Sequence, residues 1–405
     1  MSRYPSKVLA SGIVCALVAL SPCARAQALR LRADALAQTR SPVGLVQLTG
    51  SDKVRPWLDA EAVTWLGISG GPAGADALSP TGDVLTVSVR ARHERTGSEA
   101  RVGRMVVTMG AVRPVHLDGA RGLARVLGGT TIEAFAGVPV QRGFDYREVG
   151  FATGGRIGQA FGDTTIVGAS YLRRTTDGAL SDEELGADLA LTPSPWLTAQ
   201  ARGAFDLIGR GPSDVLVSAS VQRTDLRVEL FTTHRSPGRL LPATSLFSVL
   251  GDFAATSSGS TVRYRMFPRL EVLGQGTVQV RGDDVGGQGT GRVTLALDDD
   301  FAGTIGLEVR RVVLGDARWT GARALAAVPM SPRLRVATEV ELVRPDDPKG
   351  RGELWPWVLF AVGYRPSPGW DVGLGVETSS GPEYRARTAA LARLSYAFAG
   401  GEARR

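Results

Sequence analysis

The sequence predicts an all-β protein, an antiparallel transmembrane β-barrel of about 18–20 strands, an even number between roughly 18 and 22. Apolar and polar residues alternate with a period of two in runs of about ten residues, the length a tilted strand needs to cross a bilayer. Short turns alternate with longer polar connections along the whole chain. An export segment opens the sequence, and no later stretch offers 18 consecutive apolar residues for a spanning helix.

Residues 1–26 read as a secretory signal. Arg3 and Lys7 give the basic start, residues 8–20 the apolar segment, and Ala24-Arg25-Ala26 an A-x-A cleavage site. Lipidation at Cys23 fits poorly, because Pro22 stands before it. Cleavage near Ala26 leaves residues 27–405 as one barrel domain. Cys15 and Cys23 both leave with the signal, which excludes disulfides and thiolate metal sites from the mature chain. Losing Arg3, Lys7 and Arg25 lowers the formal charge from +7 to +4, too mild to argue for nucleic acid.

Residues 29–39 are a first candidate strand, and about 20 further runs follow from Trp57 onward. Leu85, Val87, Val89 and Ala91 alternate with Thr86, Ser88, Arg90 and Arg92. The same pattern recurs at 197–206, 270–281, 305–310 and 333–342. In the last of these, Leu334, Val336, Val340 and Leu342 face one side, and Arg333, Arg335, Glu339 and Glu341 the other.

Short turns are expected at 96–99, 161–163, 298–300, 331–333 and 366–369, among others. Longer loops are expected at 70–82, 110–118, 138–147, 175–182, 234–258, 281–290, 344–353 and 379–385. This parity is the periplasmic-turn, extracellular-loop asymmetry of a barrel in an outer membrane. Trp57, Phe161, Trp196, Phe267, Phe301, Tyr364, Trp370 and Phe398 lie beside short turns, where an inner aromatic girdle belongs. Trp319, Trp355 and Trp357 lie beside long loops, at the place of an outer girdle.

Chemistry-bearing motifs are few. His93, His116 and His234 stand in no metal-ligand spacing. The glycines at 287, 289 and 291 fall in an expected loop and not before a helix, so they make no phosphate cradle. His116 with Asp118 is the one local His–carboxylate pair, read as loop-rim packing, and the acidic run 298–300 as a solvated turn. No catalytic residue, metal or cofactor is expected.

The face opposite the apolar rows carries the charge. Arg90, Arg92, Arg121, Arg125, Glu133, Arg202, Arg227, Glu229, Arg263, Arg265, Glu271, Glu308, Arg310, Arg333, Arg335, Glu339 and Glu341 are the expected lumen lining. An Arg on the lipid face costs roughly 2–4 kcal/mol at the midplane, which turns this row inward. Both signs are present, which favours ion pairs that stiffen the wall over a field of one sign. Aromatics look sparse on this face. The loop 234–258 holds Leu240, Leu241, Phe247 and Phe253, an apolar set that suits a constriction folded into the lumen, a surface that docks a partner, or a further hairpin.

The mature chain resembles porin-like outer-membrane barrels of Gram-negative bacteria, with Leu394-Ser395-Tyr396-Ala397-Phe398 similar to their C-terminal insertion signal. Residues 399–405 follow that Phe, a departure from the usual form. Segment 102–122 and the end from Trp355 are loosely similar to Arg- and Ala-rich myxobacterial barrels of polysaccharide export systems. The resemblance implies a non-enzymatic pore in the cell outer membrane, contacting lipid, inserted by the barrel-assembly machinery and served by a periplasmic polysaccharide-export partner. The expected cargo is a hydrophilic solute or polymer, preferably a secreted polysaccharide. The alternatives are a general diffusion porin and a loop-plugged barrel anchoring a surface or motility complex.

Overall fold

The computed structural model describes residues 29–39, 43–69, 79–140, 150–236, 254–315, 317–348, 353–381 and 384–400. The expected signal, 1–26, lies outside them. The chain begins with β1 (Leu29–Gln38), β2 (Val43–Arg55), β3 (Leu58–Ser69), β4 (Ser79–Arg92), β5 (Glu99–Val107) and β6 (Val115–Arg125). It continues through β7 (Thr130–Pro139), β8 (Gly150–Phe161), β9 (Thr165–Thr176), β10 (Ala179–Ser194), β11 (Leu197–Asp206) and β12 (Gly211–Gln222). Next come β13 (Leu226–Arg235), β14 (Ala255–Phe267), β15 (Leu270–Arg281), β16 (Asp284–Ala296) and β17 (Thr304–Leu314). The last five are β18 (Ala317–Ser331), β19 (Leu334–Pro345), β20 (Trp355–Tyr364), β21 (Trp370–Gly381) and β22 (Tyr384–Gly400).

Each strand pairs antiparallel with its neighbours in sequence, and β1 pairs with β22, Leu31 opposite Phe398 and Leu36 opposite Arg393. The 22-stranded sheet therefore closes on itself and leaves no edge unpaired. Alternation decides which face is which. Leu307 is 64 % exposed while its neighbour Glu308 is 2 % exposed, so the apolar rows coat the outside and the charged rows turn inward.

The twenty strands from Trp57 onward and the first candidate strand are present, and β2 brings the number to 22. β2 escapes the sequence pattern because Leu45 faces inward, opposite Leu36, and blurs its alternation. Several connections differ from expectation. Two residues, Asp177 and Gly178, join β9 to β10 with φ of 50° and 81°, the left-handed pair of a tight hairpin. Residues 282–283 join β15 to β16, and only 382–383 separate β21 from β22. These strands extend past the apolar zone, where both faces are wet and no apolar row marks them. The glycines at 287, 289 and 291 accordingly lie within β16, and the turn expected at 298–300 is the longer connection 297–303.

Candidate functional site

Seven inward side chains form one chain of alternating charge across β3–β10. Arg90 pairs with Asp59 at 2.5 Å and approaches Glu99 at 3.9 Å. Glu99 meets Arg121 at 3.7 Å, and Arg121 meets Glu133 at 2.7 Å. Arg156 then bridges Glu133 at 3.5 Å and Asp188 at 2.5 Å. The step from β8 to β10 crosses β9 at Gly168. A Cβ there would stand 2.5 Å from both Arg156 Nη2 and Asp188 Oδ2, so only glycine leaves the passage open. Beside this chain Arg101 pairs with Glu61, and its Nε donates to Ser88 Oγ at 2.8 Å.

The β5–β6 connection, residues 108–114, does not project outward as a loop. It folds against the inner wall. Met109 and Val112 are buried with Met105, Val107, Val115, Leu117, Phe135, Ala152 and Leu172 in one apolar cluster. Gly110 (φ 49°) rests over the Arg156–Asp188 pair: a Cβ on it would lie 2.6 Å from Asp188 Oδ2 and 3.1 Å from Arg156 Cδ. Gly186 forms the seat, since a Cβ there would meet Ser170 Oγ at 2.6 Å, Ala111 Cβ at 3.0 Å and the Val112 nitrogen at 3.2 Å. The Ala111 N–H donates to Ser170 Oγ at 3.4 Å. Arg113 fastens the end. Its backbone N–H and Nε donate to Glu184 at 2.8 and 2.9 Å, and its Nη1 to Asp182 at 2.7 Å. Glu184 is wholly buried.

A second charged sector lines β16–β20. Glu308 receives Arg292 and Arg310, Arg310 reaches Glu341 at 3.7 Å, and Arg323 pairs with Glu339. Trp319, Trp355 and Trp357 share this face and form no outer girdle. Register decides it: Trp357 stands opposite Glu341 and Trp355 opposite Val343, while Trp319 stands opposite the buried Val312. The Arg323 guanidinium lies 5.8 Å from the Trp357 ring.

Of the expected lining, Arg90, Arg92, Arg121, Arg125, Glu133, Arg202, Arg227, Glu229, Arg263, Arg265, Glu271, Glu308, Arg310, Arg335, Glu339 and Glu341 stand on the inner face by parity of pairing. Local pairs join Arg92 to Glu99 (3.4 Å), Arg202 to Asp214 (3.5 Å), Arg227 to Glu229 (3.5 Å) and Arg263 to Glu271 (3.3 Å). Arg333 is a correction: it sits in the turn before β19, where its carbonyl accepts the Arg365 N–H at 2.8 Å. Phe301 is another, lying 5.2 Å beneath inward Arg265 and not in the girdle. Trp57, Phe161, Trp196, Phe267, Tyr364, Trp370 and Phe398 are exposed at the short-turn end. Leu240, Leu241, Phe247 and Phe253 lie outside the described residues.

His116 and Asp118 both point to the outer face. His116 Nε2 lies 2.7 Å from the Leu85 carbonyl, and Asp118 takes the Arg104 fork at 2.7 and 2.8 Å. Asp298 caps its turn by accepting the Ala302 and Gly303 N–H groups at 2.7 Å. The partners that the sequence reading missed, Asp59, Glu99, Arg156 and Asp188, carry the same period-two signal but fall in runs broken by glycine or bulges.

No protein-family model matches the chain, and no curated protein matches it in sequence. Solved structures do match. The P pilus usher (PapC) translocation pore superposes with a TM-score of 0.56 at 10% identity, over 91% of this chain and 99% of that one. The chain has the fold of an outer-membrane β-barrel. Two receptors of Pseudomonas aeruginosa share it. A mutant of the ferric enterobactin receptor PfeA gives a TM-score of 0.57 at 10% identity, over 93% of this chain and 81% of that one. The siderophore receptor PirA gives 0.53 at 11%, over 91% and 80%. At these identities the likeness is one of architecture, and the narrower resemblance to polysaccharide-export barrels gains no support from it.

Proposed function

We propose that the mature chain, freed of residues 1–26, is a passive conduit in the outer membrane for a hydrophilic solute or polymer, needing no cofactor and doing no chemistry. The observation that carries this reading is the inner wall, charged and internally paired along both sectors. Charges held in pairs stiffen a wall that faces water, and barrels of this size enclose space that side chains cannot fill. A secreted polysaccharide is the preferred cargo, handed over by a periplasmic partner. Trp319, Trp355 and Trp357 beside Glu339 and Glu341 favour it, because indole faces take the apolar face of a sugar ring while carboxylates bond its hydroxyls.

The test is planar-bilayer recording of the mature chain. Discrete conductance steps are expected, with transient blocks by an oligosaccharide. Replacing the three tryptophans by alanine should weaken blocking by about tenfold or more, at about 0.5 to 1.5 kcal/mol per ring. Blocking unchanged by the triple variant would leave general diffusion as the better reading. The second reading, a plugged anchor, is favoured by the docked 108–114 loop; a membrane-inserted chain that never conducts would establish it.

A further inference from the structure

The outward face of β17–β19 changes character at its outer end. Leu307 and Val309 on β17, Ala324 and Ala322 on β18, and Val340 and Leu342 on β19 form an apolar patch. One step further along each strand stand Arg311, Thr320 and Arg344, in direct register with one another, and Arg318 lies one outward step beyond Thr320. All four are exposed. Leu334 and Arg344 are ten residues apart on β19. That is about 33 Å along the strand and about 25 Å along the membrane normal at the usual tilt, the height of a barrel's apolar band. The arginines therefore stand at headgroup level.

Among the described residues, only Arg311 of the three arginines is ion-paired to a carboxylate. Arg311 grips Asp346 at 2.5 and 2.6 Å and also donates to Thr320 Oγ1 at 3.0 Å. Asp346 is held below the ordinary carboxylate range, first by those hydrogen bonds and then by the charges of Arg311, Arg318 and Arg344, so it stays ionised. Among the described residues no ion pair joins Arg318 or Arg344 to it. A contrasting outward arginine at the same rim, Arg104, is matched by Asp118 at 2.7 Å and Asp83 at 3.5 Å.

We infer that Arg311, Arg318 and Arg344, with Thr320, hold the phosphate groups of an outer-leaflet lipid headgroup. Guanidinium forks match phosphate geometry, and the position at the top of an apolar patch suits a lipid whose chains lie against Val340 and Leu342. The site rests on the orientation in which the long connections face outward, and is independent of conduction.

The test uses the mature chain folded in neutral detergent, titrated with a bisphosphorylated glycolipid and with its dephosphorylated counterpart, and read by native mass spectrometry. The phosphorylated lipid alone should be retained. The double variant Arg318→Gln, Arg344→Gln should retain it about 30-fold more weakly, roughly fivefold per guanidinium. Conductance and heat-modifiable gel mobility should be unchanged. Should the double variant fail to fold, Arg344→Gln alone should show the fivefold loss. Equal retention of the two lipids, or equal retention by variant and parent, overturns the inference. So does displacement by inorganic phosphate at equal concentration, which assigns the arginines to the free ion. A chain that binds the lipid yet never conducts leaves this site standing and removes the pore.

Discussion

Replacing Arg113 by alanine is expected to release the 108–114 loop from the wall into the lumen and lower unitary conductance. Arg113 supplies Glu184 with two donors, at 2.8 and 2.9 Å, and Glu184 is wholly buried. Truncation leaves the backbone donor and removes the charge. Breaking a buried pair from one side costs about 3–5 kcal/mol, because the carboxylate stays behind without its counter-charge. The loop has a cheaper escape than the strands do: it can leave Glu184 to water and swing into the lumen. Gly186→Val should have the same result from the wall side, since its side chain would occupy the space of Ala111 and Val112. Hydrogen exchange of residues 108–114 reports the release and single-channel recording its consequence. Faster exchange with unchanged conductance would show that the released loop stays clear of the path. Unchanged exchange would show that the Arg113–Glu184 pair does not hold it.

The barrel was legible because a strand shows its environment at every second residue. In 333–342 the alternation of Arg335, Glu339 and Glu341 with Val336, Val340 and Leu342 suffices to assign both faces. Legibility fails where that contrast fails. Trp355, Trp357 and Leu359 alternate with Pro356, Val358 and Phe360, so both rows are apolar and only the pairing of Trp357 with Glu341 turns the tryptophans inward. Above the apolar zone, β9, β10, β15 and β16 run on with polar residues and glycine on both faces, and these stretches look like loops. The infolded loop leaves the weakest trace of all. Its seat is Gly186 and its latch Glu184, about 70 residues away on another strand, and neither differs locally from a loop glycine and a surface acid. Pairing between distant strands is a property of the closed sheet, not of any window of sequence.

Arg156→Ala is expected to weaken the fold and make the pore prefer cations. The Arg156 side chain bridges Glu133 and Asp188 at 3.5 and 2.5 Å and is 13% exposed. Removing it leaves two carboxylates facing each other across β8 and β9, with one guanidinium, Arg121, still on Glu133. The expected loss is about 3–5 kcal/mol, read as a lower urea midpoint for the folded barrel in detergent. Selectivity should move in the same experiment. The wall loses a positive charge beside two negative ones, and rings of carboxylate attract cations into a pore. The reversal potential in a salt gradient should therefore shift toward that of the cation. Arg156→Leu tests whether packing accounts for the stability loss, since leucine restores volume but not charge. If Arg156→Leu recovers stability while the reversal potential remains shifted, the stability loss is one of packing and the charge of Arg156 acts on the passing ion. A reversal potential that does not move would mean that the permeating ions do not pass this sector, and that the docked loop over Gly168 and Gly186 screens it from the path.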